Sequence, residues 1–433
     1  MAVVLAGLAL SGVPGTTVSQ PPLPGDDGAR HLGAATCGNS TCHAAQQTLQ
    51  FSNVLQYEYI IWRDHDRHSK AFDVLKSDSA TRMATNLGLG RASEAPQCLR
   101  CHADFVPPEQ RGKNFNLVDG VSCEACHGGS EKWLGAHSSG VSTRKQNIAA
   151  GMYPTDDPSA RARLCLSCHF GSIAQPMTHE LHAAGHERLK FELDAYSSER
   201  PAHHRIDQDY RQRKPQGYGT HAWVVGQLAT AGLHLELIRR HTHGSSPLFP
   251  ELSHFECYSC HRMFGNGAPG SGDAPRTRDG ALQMLTVIAA VLTPDRLKGL
   301  EDGIADLHTG ARKGETAWLE AAAALSQRVT ELQVALADVH PDADSTRALL
   351  DELLKRAVDG VDVSPIHAEQ AALAAGTLVF VLEDLGAAPA NADAVDKALD
   401  NLYATAGRPA QFDLHAWRAS VKAMAAALAA GDT

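Results

Sequence analysis

Phe, Tyr and Trp together make up only 6% of the 433 residues. Large aromatic side chains supply much of the buried apolar area of an ordinary core, so a chain this poor in them needs another source of apolar surface. Nor is there an apolar stretch of the roughly 20 residues that span a bilayer. Ala371 to Leu382 is nearly all apolar but too short, and reads as a buried helix. Transmembrane anchoring is therefore not expected. No Lys or Arg precedes Arg30, so the apolar opening Met1–Leu10 has the core of a secretory signal without its basic flank. Residues 1–30 are read as a signal-like or disordered N-terminus.

A basic excess is also missing. The formal net charge is −10, and residues from Arg278 onward, with 13 Lys+Arg against 23 Asp+Glu, account for all of it. An acidic chain has no electrostatic reason to bind nucleic acid. Basic patches on partner proteins are the natural complement. Cysteine stops at Cys260, and everything beyond it is free of thiols.

The cysteines that are present form one pattern. All ten fall into five pairs, each followed directly by a histidine. Four read C-x-x-C-H: Cys98/Cys101/His102, Cys123/Cys126/His127, Cys165/Cys168/His169 and Cys257/Cys260/His261. The first is stretched, Cys37-Gly-Asn-Ser-Thr-Cys42-His43. Zinc sites use paired cysteines too, but they have no need of a histidine at one fixed offset, and an odd number of pairs strands one. C-x-x-C-H is the attachment signature of c-type haem. The two thiols add across the porphyrin vinyl groups and the adjacent histidine is the proximal iron ligand. Five covalently attached haem c groups are expected, with proximal ligands His43, His102, His127, His169 and His261. In the stretched motif the four spacer residues loop out while both sulfurs still reach. Porphyrin surface would also explain the shortage of aromatics. Covalent haem attachment takes place outside the cytoplasm, so a periplasmic or extracellular location is expected.

The motifs lie between residues 37 and 261, with short helical patterns and little strand signal between them. A pentahaem cytochrome c domain is expected over 31–264 and a Gly/Pro-rich linker over 265–277. Amphipathic helices follow over 278–433, near 278–292, 294–308, 314–338, 344–358, 365–385, 391–405 and 413–430. Thr293-Pro294 and Ser364-Pro365 read as capping residues followed by proline at the first helical position. The fold class is mainly α, a multihaem domain followed by an antiparallel helical bundle. His308, His340, His367 and His415, scattered through the bundle, are read as ordinary surface or core residues.

Fourteen histidines besides the proximal five stand in the first 261 residues. Three segments carrying some of them show a family likeness. Cys123-Glu-Ala-Cys126-His127-Gly…His137 resembles the C-E-x-C-H-G…H element of cytochrome c-554-like multihaem proteins. That superfamily is related to hydroxylamine oxidoreductase and to multihaem nitrite and tetrathionate reductases. Trp62–Phe72 is similar to its helix offering a distal histidine before an Ala-aromatic turn, and His179–His186 to its H-E-x-x-x-A-G-H segment. The likeness covers about residues 35–265. It implies His68, His137, His179 and His186 as distal ligands, with His68 favoured over His65. For the fifth, His203 is preferred among His203, His204, His221, His234, His241, His243 and His254. Arg205, Arg211, Arg213 and Lys214 are candidates for binding haem propionates.

The function expected is electron transfer along closely packed, mostly bis-histidine haems, to and from redox partner proteins. The alternative is a multihaem oxidoreductase with one open haem, acting on a small nitrogen or sulfur oxyanion. No C-x-x-C-K motif of the nitrite-reducing relatives occurs, and no catalytic residue is assigned. The bundle is a candidate docking or oligomerising module.

Overall fold

The computed structural model describes residues 20–48, 55–198, 203, 207–241, 251–261, 276–360, 363–407 and 409–430. Residues 1–19, most of the linker, and His204, Arg205 and His243 lie outside these described residues. Among the described residues no strand forms, and β pairing is limited to two isolated bridges, His31 with Arg111 and Phe255 with Thr277.

The motif-bearing part starts with α1 (Ala34–Cys37), α2 (Glu58–His65), α3 (Asp78–Asn86), α4 (Pro96–His102) and α5 (Cys123–His127). It continues through α6 (Leu134–Ser138), α7 (Arg144–Ala149), α8 (Pro158–His169), α9 (His179–Ala184), α10 (Leu193–Ser198) and α11 (Gln208–Gln212). These helices are too short to be stable alone, and local capping fixes where they start. Ser77, Asp157 and Thr178 accept hydrogen bonds from the first-turn amides of α3, α8 and α9, and Thr143 forms a capping box on α7. Gly185, in the left-handed region, ends α9. The apolar clusters among them are small: Phe72, Leu75 and Leu99 with four alanines in one, and Ala162, Leu166, Phe191 and Leu193 in another.

The remainder is built differently. After α12 (Tyr218–His241) and α13 (Cys257–Cys260) come α14 (Gly280–Leu292), α15 (Pro294–Lys313), α16 (Glu315–Leu336) and α17 (Ala343–Asp359). The last three are α18 (Pro365–Asp384), α19 (Ala392–Ala406) and α20 (Leu414–Ala429). Short connections fold α14 on α15, α15 on α16, α17 on α18, α18 on α19 and α19 on α20, which makes these neighbours antiparallel. One large core holds them, including the fully buried Trp318 and Trp417. All seven helices expected beyond residue 278 form. Ser364 caps α18, its hydroxyl accepting from the His367 amide at 3.1 Å. Thr293 does not cap α15. It is the single residue between two helices, donating its amide to Ala289 and accepting from Arg296, so its backbone serves the corner instead. α15 also runs on to Lys313, past the expected end at 308, and stops only at Gly314, which has φ 117°.

α12 precedes the linker in sequence yet packs on α14, α16 and α18 as well as on α8. Its Trp223, Val224, Leu228, Leu235 and Ile238 belong to the same core as α14–α20. α18 is long and apolar enough to cross a membrane by length and composition, but its most apolar window is 83% buried between the other helices.

Candidate haem-binding site

In the standard motifs a single helical turn carries both cysteines and the histidine, since α4, α5 and α8 each end on the motif histidine. α13 ends at Cys260, one residue earlier. The stretched motif folds otherwise. α1 ends at Cys37, and the Asn39 side chain accepts from the Thr41 amide (3.0 Å) while the Cys42 amide donates to the Asn39 carbonyl (2.9 Å). The His43 amide returns to the Cys37 carbonyl at 3.3 Å. The extra residues are taken up in a braced turn, and His43 comes back beside its first cysteine.

Four of the motif histidines face a second imidazole from elsewhere in the chain. The centroids of His43 and His137 are 6.0 Å apart, those of His68 and His169 5.9 Å, His127 and His203 6.1 Å, and His179 and His261 6.3 Å. His102, the fifth, feels His186 electrostatically. His65, three residues before His68, is exposed. His221 instead bonds the Val339 carbonyl (2.8 Å) and packs on His340, and His234 packs on Phe170 and His254.

The spacing suits one metal atom between two rings. A metal–imidazole bond of about 2 Å on each side, plus roughly 1.2 Å from nitrogen to ring centre, puts two axial centroids about 6 Å apart. Protonation fits as well. Burial pushes His127 down to about 3 and lowers His102 and His137, so these rings are neutral bases ready to coordinate, whereas the hydrogen bond to Glu58 raises His43.

The outer nitrogens are oriented by distinct partners. His43 Nδ1 lies 2.9 Å from the Glu58 carboxylate, and His68 Nδ1 lies 3.0 Å from Asp66. His102 Nδ1 bonds the Ala71 carbonyl (3.0 Å) and His186 Nδ1 the Glu187 carbonyl (2.8 Å). Such bonds fix which nitrogen is left for a metal. Next to His137 Nδ1 at 3.3 Å stands the Asn147 amide nitrogen, while Asn147 Oδ1 has no partner. Turning that amide over lets Oδ1 accept from an Nδ1–H, the tautomer that coordination through Nε2 requires.

The motifs also lie against one another. α1 packs on α5 and α4 on α8. The thiols of Cys37 and Cys123 lie within electrostatic reach of each other, as do those of Cys101 and Cys168. Cys126 is within electrostatic reach of Cys165 and Cys168.

Residues 36–128 match the family model described as cytochrome c554 and c-prime. Over that stretch the chain is similar to c-type cytochromes. The match takes in the first three motifs. No curated protein and no solved structure matches the chain.

A buried polar cluster beside this cytochrome region was not singled out by sequence. His31 Nδ1 is 2.8 Å from Asp104 and its Nε2 is 3.1 Å from the Pro24 carbonyl. Against the lowering effect of burial, the Asp104 carboxylate beside the ring raises its pKa. Glu124, inside the third motif, accepts from the amides of Leu32 (2.8 Å), Gly33 (2.6 Å) and Ser130 (2.7 Å). It thereby ties the segment before the first motif to the third. A C-E-x-C-H motif signals the glutamate, but nothing local to His31 signals its partner.

Proposed function

We propose that this chain is an exported pentahaem cytochrome that passes electrons along a row of bis-histidine haems. The five ligand sets would be His43/His137, His102/His186, His127/His203, His169/His68 and His261/His179. Four cross-chain imidazole pairs at 5.9–6.3 Å carry this reading. Unrelated histidines have no reason to repeat one separation, and each pair joins one motif histidine to one that is not. Haem iron supplies one-electron exchange between its ferric and ferrous states, with axial ligands tuning the potential. The polypeptide supplies the nitrogens and holds the attachment sites close.

The order of the row follows from the motif contacts. Cys37 beside Cys123, Cys126 near Cys165 and Cys168, and Cys168 beside Cys101 give the sequence first, third, fourth, second. His186 and His179, at the two ends of α9, lead from the second motif to the fifth. The test is made on the haem-loaded protein. Its mass should exceed that of the polypeptide by five haems, and its iron should be entirely low-spin and inert to carbon monoxide and cyanide. A high-spin fraction that binds either ligand would replace this reading with an oxidoreductase having one open haem.

A further inference from the structure

We propose that Glu58 and Asp66 build a step in reduction potential into the row. By hydrogen-bonding His43 and His68 they would lower the potentials of the haems at Cys37/Cys42 and Cys165/Cys168 relative to the haem at Cys98/Cys101. This rests on the ligand sets proposed above.

The physical argument is one of charge. An imidazole whose Nδ1–H donates to a carboxylate is more electron-rich than one donating to a neutral carbonyl, and a basic axial ligand favours ferric over ferrous iron. The structure distributes the two kinds of partner unevenly. His43 and His68 have carboxylates at 2.9 and 3.0 Å, while His102 and His186 have backbone carbonyls at 3.0 and 2.8 Å. The haem at Cys98/Cys101 thus has neutral partners on both sides.

Both carboxylates are sheltered and held in place. Their side chains are only 15% and 13% exposed, so water screens them weakly. Glu58 Oε1 accepts from the Gln56 amide at 3.2 Å. Gln56 is the one non-glycine among the described residues with positive φ, at 53°. Its carbonyl meanwhile accepts from Ala45 at 2.7 Å, and Tyr59 donates to the His43 carbonyl at 2.9 Å. A strained residue kept by its surroundings marks a position fixed for a purpose, and here the strain aims an amide at the carboxylate beside His43. Asp66 is anchored by its second bond, accepting from the His68 amide at 2.9 Å. Neither carboxylate has a Lys or Arg paired to it among the described residues.

Along the proposed row the sites at Cys37 and Cys165 come before the one at Cys98. The step therefore runs downhill for electrons entering at the Cys37 end.

The test uses E58Q and D66N in the haem-loaded full chain, with a spectroelectrochemical titration of the haem absorbance and electron paramagnetic resonance on each sample. Each isosteric change should move one midpoint in the positive direction and leave the others in place. The double variant should move two. Midpoints unmoved in both variants, with all irons still low-spin, overturn the inference. Should E58Q fail to assemble, D66N reports independently at another haem, and its unmoved midpoint is equally decisive. A high-spin signal in the unmodified protein is a different failure, since it overturns the ligand sets and not the role of the carboxylates.

Discussion

The imidazoles of His43 and His137 lie parallel, with 5° between their planes, whereas those of His68 and His169 cross at 87°. His179 and His261 are near-parallel at 22°, and His127 and His203 are again perpendicular at 87°. Parallel axial rings split the two iron d orbitals that share electrons with them, whereas crossed rings leave those orbitals nearly equal in energy. Electron paramagnetic resonance of the oxidised protein should therefore show both ordinary rhombic low-spin signals and signals with a strongly enlarged highest g value. A spectrum of one type alone would contradict the described ring geometry.

Removing a distal ring should open one iron and only one. H137A and H68A are each expected to keep all haem covalently attached, to gain one high-spin iron and to bind one carbon monoxide after reduction. Optical titration with carbon monoxide counts the sites. A variant that gains none would reassign that histidine.

Gly33 has φ 97°, and a Cβ there would stand 2.0 Å from the Asn114 carbonyl oxygen. Its amide also donates to Glu124. G33A should cost about 1–3 kcal/mol from the backbone conformation alone, with the clash adding to it. Thermal unfolding of the variant should show a clear drop in Tm.

Burial alone would lower the pKa of His31, but Asp104 reverses this and the net shift is upward from 6.5. The folded state therefore binds the proton more tightly than the unfolded chain. The resulting stability is fully present below about pH 6.5 and is lost as the pH rises through the folded-state pKa. Denaturant midpoints taken from pH 6 upward should fall across that range, and H31Q should flatten the decline while lowering stability throughout. An identical pH slope in the two proteins would remove His31 as the cause.

Asp279 carries a second buried network, with Arg276 at 2.8 Å and His308 at 3.1 Å. His308 and Arg276 outweigh burial and hold the Asp279 carboxyl far below the usual range. D279A leaves Arg276, His308 and Gln283 facing a buried gap, and breaking such a buried pair costs about 3–5 kcal/mol. Chemical denaturation measures it.

The helices beyond residue 278 were legible because their apolar residues recur with a helical period, and because Ser364 caps α18 while its hydroxyl donates to Glu256. Thr293 misled because the same residue also closes α14. The motif cysteines announce themselves through spacing alone. Which imidazole meets which is invisible in the sequence: His43 and His137 are far apart along the chain and are brought together only by the packing of the helices between them. Glu58 stood outside every motif for the same reason, since its relation to His43 exists only after the intervening chain has turned back. α12 was not assigned to a core because it is apolar on more than one side, as befits a helix packed between α8 and α16.

That placement of α12 has a consequence for biogenesis. As the polypeptide emerges from its amino end, the helix appears well before α14, α16 and α18, the surfaces that will cover Trp223, Leu228 and Ile238. Until those later segments arrive, the faces of the helix that meet them remain uncovered.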